Sequence, residues 1–123
     1  MSELPSGMVE QEEPLPLLDE ETISSIRKSV GPESLAALVA AIEDDCGSAL
    51  ADLERAERTG ERHLLQRSAH RLKGIFAQFG ARRAAHLARY ISDEMRSGED
   101  ASAAELISVG RASTEAVKRA LQD

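Results

Sequence analysis

One histidine lies in a short run of residues whose types suit group transfer. Residues 70–74 read His-Arg-Leu-Lys-Gly. A neutral imidazole nitrogen is a nucleophile, and Lys73 lies one helical turn after His70. Its ammonium is placed to neutralise an anionic group, such as a phosphoryl group, held on the ring. Lysine is scarce in this chain, with three Lys against 12 Arg, so a compact positive charge beside His70 indicates a specific use.

The predicted helix around His70 has a clear inner face. Apolar side chains recur there at alternating intervals of four and three residues: Leu65, Ala69, Leu72, Phe76 and Phe79. At about 100° per residue these side chains lie opposite His70, which is therefore expected to face solvent. Gly74 shares the face of His70, although a glycine inside a helix costs about 1 kcal/mol relative to alanine. We interpret Gly74 as the residue that leaves the imidazole open to a partner, because no side chain then shields the ring.

Further residues around His70 are candidate contacts for a partner. They are Gln66, Arg67, Arg71 and Ala77. For the arginines the alternative is an ordinary solvated surface, and the same alternative holds for His63, which shares this face. His63 and His70 are seven residues apart, too far for one metal ion, and the single Cys46 allows no cysteine cage. The sequence therefore predicts no metal site.

Charge is unevenly distributed along the chain. The formal net charge is −7, and residues 1–21 hold seven acids without a Lys or Arg. Residues 62–96 hold eight bases and two acids. The acidic total argues against general nucleic-acid binding, and the basic zone favours an acidic partner or a phosphate. No apolar stretch approaches membrane-spanning length, and the start of the chain does not resemble a signal peptide.

The pattern predicts one all-α domain behind a tail. Residues 1–18, rich in proline and acids, are predicted to be a flexible tail, and residues 19–123 a helical bundle. Asp19 is expected to begin a short first helix, which Gly31 ends. Four longer amphipathic helices follow, near residues 32–58, 61–79, 82–96 and from a capping box at Ser102 and Glu105. Short connections make neighbours antiparallel, which gives an up-down-up-down four-helix bundle with a short additional N-terminal helix.

A family resemblance rests on the residues around His70. His70-Arg71-Leu72-Lys73-Gly74, followed by Gly80-Ala81, resembles the signature H-x-L-K-G-x5-G-A of histidine-containing phosphotransfer (HPt) domains. The segment 17–30 also resembles the first helix of that family. The motif lies in the all-helical context and on the exposed face that it requires.

The resemblance implies a carrier in a phosphorelay of a two-component system. His70 would accept a phosphoryl group from a receiver-domain aspartate and pass it to another receiver, Lys73 would stabilise the phosphorylated form, and Gly74 would clear the approach. The partners would be response-regulator receiver domains or a hybrid histidine kinase. The carrier would need no cofactor, because Mg²⁺ would be bound by the receiver. We expect a cytoplasmic monomer that is not an enzyme and has no kinase or nucleotide site.

Two alternative functions and two departures from the family pattern remain. A helical bundle that is not phosphorylated, an adaptor or inhibitor of a histidine kinase or response regulator, is the second hypothesis. The third, an enzyme, is disfavoured because the chain has no Gly-rich phosphate loop. Many HPt domains carry Glu or Gln where this chain has Ser92, a shorter group for orienting the imidazole. Ile75 follows Gly74 where the family often has a small or polar residue, and we expect it to pack inward.

Overall fold

The computed structural model describes residues 15–94 and 103–122, and helices make up most of them. The elements are α1 (Glu20–Ser29), α2 (Pro32–Thr59), α3 (Arg62–Gln78), α4 (Arg82–Arg89), a π-helical segment (Tyr90–Glu94) and α5 (Ala104–Gln122). Within these two ranges there is no β-strand. The predicted all-α class is therefore confirmed.

The four longer helices form a closed ring. Helix α3 packs against α2 and α4. Helix α5 also packs against α2 and α4, so that each of the four helices has two neighbours. Short turns reverse the chain between α2 and α3 and between α3 and α4, which makes these neighbours antiparallel. The short helix α1 packs against α5. This arrangement is the predicted four-helix bundle with an additional N-terminal helix.

The interior is built from aliphatic side chains and two phenylalanines. All five residues predicted to form the inner face of α3 are buried: Leu65, Ala69, Leu72, Phe76 and Phe79. Ile75 is partly buried against this core, as expected. Helix α2 contributes Cys46, a free thiol that is buried and whose pKa is raised by that burial. Gly110 of α5 lets Leu50 and Phe76 approach its backbone, since a Cβ there would lie 3.0 Å from the Leu50 side chain.

The end of α1 differs from the sequence prediction. Asp19 does cap α1, its carboxylate accepting the Glu21 N–H at 3.2 Å, but the helix ends at Ser29 rather than at Gly31. Gly31 has φ −71° and leads directly into Pro32, so it is not a left-handed terminator. The predicted capping box is untested, because Ser102 lies outside the described residues.

The prediction of one continuous α-helix over residues 82–96 is wrong. Helix α4 ends at Arg89, and residues Tyr90–Glu94 continue as a π-helix. The Tyr90 N–H still donates to the carbonyl oxygens of His86 and Leu87, whereas a π-helix is characterised by bonds between residues five apart and a wider turn. Ile91 is buried on the inner side of this segment. The last two residues of the predicted helix, Met95 and Arg96, lie outside the described residues.

The described chain begins in contact with the bundle. Residues 1–14 of the predicted flexible tail are outside the described range, so their assignment stays a prediction. Of the remaining residues of that segment, Leu15 accepts a hydrogen bond through its carbonyl oxygen from Arg83 Nε at 2.8 Å. Leu18 packs against the core. Arg83, at the start of α4, therefore holds the chain that leads into α1.

Gly80, which follows α3, is hydrogen-bonded to the residue that precedes α1. Its carbonyl oxygen accepts the Asp19 N–H at 2.7 Å, and its φ of +74° lies in the left-handed region. A Cβ at this position would lie 2.8 Å from the Thr22 Cβ. Glycine is therefore required twice, once by the backbone conformation and once by the close approach of α1.

Replacing Gly80 with alanine should destabilise the fold more than the same change at Gly60. Both glycines have φ +74°, but a Cβ at Gly60 would meet nothing within 4 Å. We expect a loss of about 1 kcal/mol for Gly60→Ala, from backbone strain alone, and of about 2–4 kcal/mol for Gly80→Ala, which adds the clash. Urea unfolding followed by circular dichroism measures both. Equal losses would show that the contact with Thr22 relaxes without cost.

Candidate functional site

The seven residues predicted to form the site lie along the outward side of α3. His70, Arg67, Arg71, Gly74 and Ala77 are exposed, and Gln66 and Lys73 are half-buried at its margin. The buried inner face described above turns the His70 imidazole outward, as the periodicity predicted. The structure thus brings these residues to one side of the helix, and their roles in binding or chemistry stay predictions.

The glycine beside His70 has no role in the packing of the bundle. A Cβ at Gly74 would meet no atom within 4 Å outside its own helical turn and chain neighbours. The helix therefore carries a residue of poor helix propensity where the described fold has room for a side chain. This observation supports access to the imidazole as the reason for the glycine.

The imidazole contacts a side chain of the π-helical segment. His70 Nδ1 lies 3.3 Å from the Oγ of Ser92. The Ser92 hydroxyl in turn donates a hydrogen bond to Asp93 Oδ1 at 2.6 Å. Ser92 therefore reaches the imidazole even though it is shorter than the Glu or Gln of many HPt domains. The other ring nitrogen, Nε2, is not engaged in this contact.

Lys73 also forms a hydrogen bond with Asp93. Its Nζ donates to Asp93 Oδ2 at 2.8 Å, which closes a chain of polar contacts from His70 through Ser92 and Asp93 to Lys73. The hydrogen bonds from Lys73 and then from Ser92 lower the pKa of the Asp93 carboxyl from its ordinary value. Asp93 is therefore a carboxylate at neutral pH, and Lys73 has a counter-ion beside it.

Sequence reasoning missed Asp93. The sequence marks Ser92 as a group that could orient the imidazole, but it marks Asp93 only as one of two acids in the basic zone. The zone from residue 62 to 96 contains two acids, Asp93 and Glu94, and that rarity was an available signal. What the sequence did not reveal is the π-helical segment, in which the consecutive residues Ser92 and Asp93 both reach side chains of α3.

Basic side chains surround the site on two helices. Lys73 and Ala77 of α3 line an open groove of about 410 Å³ together with Arg82 and His86 of α4. Within the site, Arg71 lies 4.0 Å from Asp45 of α2, and both side chains are largely exposed. Part of the predicted basic zone therefore lies beside His70, together with the acidic Asp93.

The residues that the structure describes offer neither a metal-binding cluster nor a membrane-spanning helix. In that part of the chain, no group of three or more His, Cys, Asp or Glu side chains is placed to hold a metal ion. None of the described helices combines the length and the apolar character needed to cross a membrane.

Comparison with known protein families agrees with this geometry. The family model described as "Hpt domain" matches residues 37–123, which include α3 with His70 and most of the bundle. The chain belongs to the Hpt domain family. Members of this family carry phosphoryl groups on histidine in two-component systems and are not themselves kinases. Neither a curated protein nor a solved structure gives a significant match to this Hpt domain.

Replacing Gly74 with alanine should stabilise this Hpt domain. The new methyl group enters open space, and alanine is the better helix former, so the free energy of unfolding should rise by about 0.5–1 kcal/mol. Gly110→Ala is the matched control, since its methyl group would press on Leu50 and Phe76 and should destabilise the protein. Chemical denaturation compares the two. A loss of stability for Gly74→Ala would mean that the glycine serves packing after all.

Proposed function

We propose that this protein is a phosphorelay intermediate that accepts a phosphoryl group on His70 from a receiver-domain aspartate and passes it to another receiver. The observation that carries the proposal is the exposed His70 imidazole beside the open Gly74 position, with Ser92 at Nδ1 and Lys73 one turn away. This arrangement leaves Nε2 as the nitrogen that an incoming phosphoryl group meets. Membership in the Hpt domain family supports the same chemistry.

The transfer step needs little from this chain beyond position and charge. The lone pair of Nε2 forms the new N–P bond, the P–O bond to the receiver's aspartate breaks, and its electron pair leaves on that carboxylate. An oriented nucleophile in contact with the acyl phosphate provides most of the advantage, since phosphoryl transfer involves little other covalent chemistry. In the reverse step, the aspartate of a second receiver takes the phosphoryl group from Nε2.

Lys73 is proposed to stabilise the phosphorylated form. In the unphosphorylated protein its ammonium is paired with Asp93. Both side chains are partly exposed, and ion pairs near the surface contribute little to stability. A phosphoryl group on His70, with about two negative charges, competes effectively for the ammonium. Gln66, Arg67, Arg71, Gly74 and Ala77 are the proposed docking surface around it.

Charge complementarity supports a receiver domain as the partner. The acidic pocket of a receiver, where its Mg²⁺ would be bound, is expected to meet the basic surface that includes Lys73, Arg82 and His86. This chain itself is proposed to need no cofactor. We further propose that the protein is cytoplasmic, as the family's role in phosphorelays implies. We propose a monomer, since the four helices close their own core and Tyr90 is the sole exposed large hydrophobic side chain in the described ranges.

An adaptor that binds a kinase or receiver without being phosphorylated is the second candidate. The exposed basic face would serve an adaptor equally well. An adaptor, however, has no need for a nucleophile with an oriented ring nitrogen, and the contact between Ser92 and His70 Nδ1 favours the phosphorelay role.

Label transfer decides between the two. The protein is mixed with a receiver domain phosphorylated with ³²P by a histidine kinase of the same organism, and the label is followed on gels. We expect acid-labile, alkali-stable label on the wild type and none on His70→Gln, which keeps a polar side chain but loses the nucleophile. His63→Gln is the matched control that should accept label normally.

Two results would contradict the phosphorelay role. Label that persists on His70→Gln would place the phosphoryl group elsewhere. A wild type that binds the phosphorylated receivers, yet takes no label from any of them, would favour the adaptor.

A further inference from the structure

The direction of the hydrogen bonds around Ser92 is determined by counting protons. A serine hydroxyl has one proton, and Ser92 donates it to Asp93 Oδ1 at 2.6 Å. Toward His70 the hydroxyl oxygen can then act only as an acceptor. The 3.3 Å contact with Nδ1 is therefore an Nδ1–H donating to Ser92 Oγ. In a neutral imidazole this places the proton on Nδ1 and the lone pair on Nε2.

We propose that Asp93 acts through Ser92 as a positioning residue, which holds His70 in the tautomer with its proton on Nδ1 and so makes Nε2 the nitrogen that takes the phosphoryl group. The tautomer itself depends on these contacts alone, whereas its use in phosphoryl transfer rests on the function proposed above. Asp93 is not part of the motif around His70, and the hydrogen bonds that the structure gives it are to Ser92 and Lys73.

Lys73 holds the Asp93 carboxylate, the last acceptor in this chain of hydrogen bonds. A carboxylate accepts hydrogen bonds and donates none. As long as Asp93 is ionised, the hydrogen bond between the two residues must therefore be donated by the Ser92 hydroxyl. The second carboxylate oxygen, Oδ2, accepts from Lys73 Nζ at 2.8 Å, which turns Oδ1 toward Ser92. The lowered pKa of Asp93, caused by these same hydrogen bonds, agrees with an acceptor that stays ionised.

The same chain also serves the transition state. As Nε2 bonds to phosphorus, positive charge develops on the ring while Nδ1 keeps its proton. That charge faces the Ser92 oxygen, with the Asp93 carboxylate behind it. A carboxylate has this role in Ser-His-Asp triads, where it holds the tautomer and stabilises the imidazolium without taking the proton. Here one serine lies between the imidazole and the acid.

A simpler role for Asp93 is as a counter-ion for Lys73, without an effect on the imidazole. The two roles differ in what Ser92→Ala does. That variant breaks the path from Asp93 to His70 but leaves the ion pair between Lys73 and Asp93 in place. A counter-ion role predicts an unchanged tautomer in Ser92→Ala, whereas the positioning role predicts that the tautomer ratio shifts.

The tautomer is measured directly by ¹⁵N NMR of the imidazole nitrogens in the unphosphorylated protein. Spectra are recorded at about pH 8.5, where an imidazole is neutral. His63 and His86 are exposed and report the ratio of unconstrained side chains in the same spectrum. We expect His70 to have more of the Nδ1–H form than either, and Ser92→Ala and Asp93→Ala each to lower that ratio by roughly two- to tenfold, the contribution of one hydrogen bond.

Glu43→Ala is the matched control. It removes a carboxylate that is ion-paired with Lys118, between α2 and α5 and away from the site, and it should leave the His70 signals unchanged. Thermal unfolding of each variant confirms that the bundle is intact. Asp93→Ala should also slow the uptake of label from a phosphorylated receiver by a factor similar to the change in tautomer ratio.

Two results would overturn the inference. One is a wild-type His70 with the same tautomer ratio as His63 and His86. The other is a ratio that Asp93→Ala or Ser92→Ala leaves unchanged. Because the tautomer is read without phosphorylation, these results are independent of the labelling assay: a wild type that takes no label but shows the shifted tautomer would contradict the proposed function and not the proton arrangement.

Discussion

The burial of one face of α3 is the constraint on which the site depends. The side chains from Leu65 to Phe79 on that face pack inside a closed ring of four helices, and their removal from water is the main driving force for that packing. Because a helix repeats every 3.6 residues, this burial also decides which residues face outward. His70 is exposed because its neighbours one position before and two positions after, Ala69 and Leu72, are buried.

A second constraint comes from the segment after α4. A regular α-helix would present fewer consecutive residues to α3, whereas the π-helical turn brings Ser92 to His70 and Asp93 to Lys73. π-helical turns are rare and are often found at functional sites. Here the π-helical turn completes a chain of polar contacts that connects both the His70 imidazole and the Lys73 ammonium to one acid, Asp93.

The sequence predicts the features that follow from periodicity and from local backbone rules. The inner face of α3, the outward His70, the cap at Asp19 and the end of α3 near residue 79 were all available from spacing and residue type. The π-helical segment was not, because apolar residues near Leu87 and Ile91 fit an α-helix equally well and the widened turn depends on packing against α3. Asp93 was missed for the same reason: its contacts link residues 20 positions apart on different helices. Gly31 was misread because Val30 and Pro32 already end one helix and begin the next.

The most direct test of this account is the position of phosphorus on the phosphorylated protein. The ¹⁵N-labelled protein is phosphorylated by a phosphorylated receiver domain, and a ³¹P–¹⁵N correlation identifies the bonded nitrogen. The account predicts one phosphorus atom, bonded to Nε2 of His70. Phosphorus on Nδ1 of His70, or on His63, His86 or a carboxylate, would contradict it.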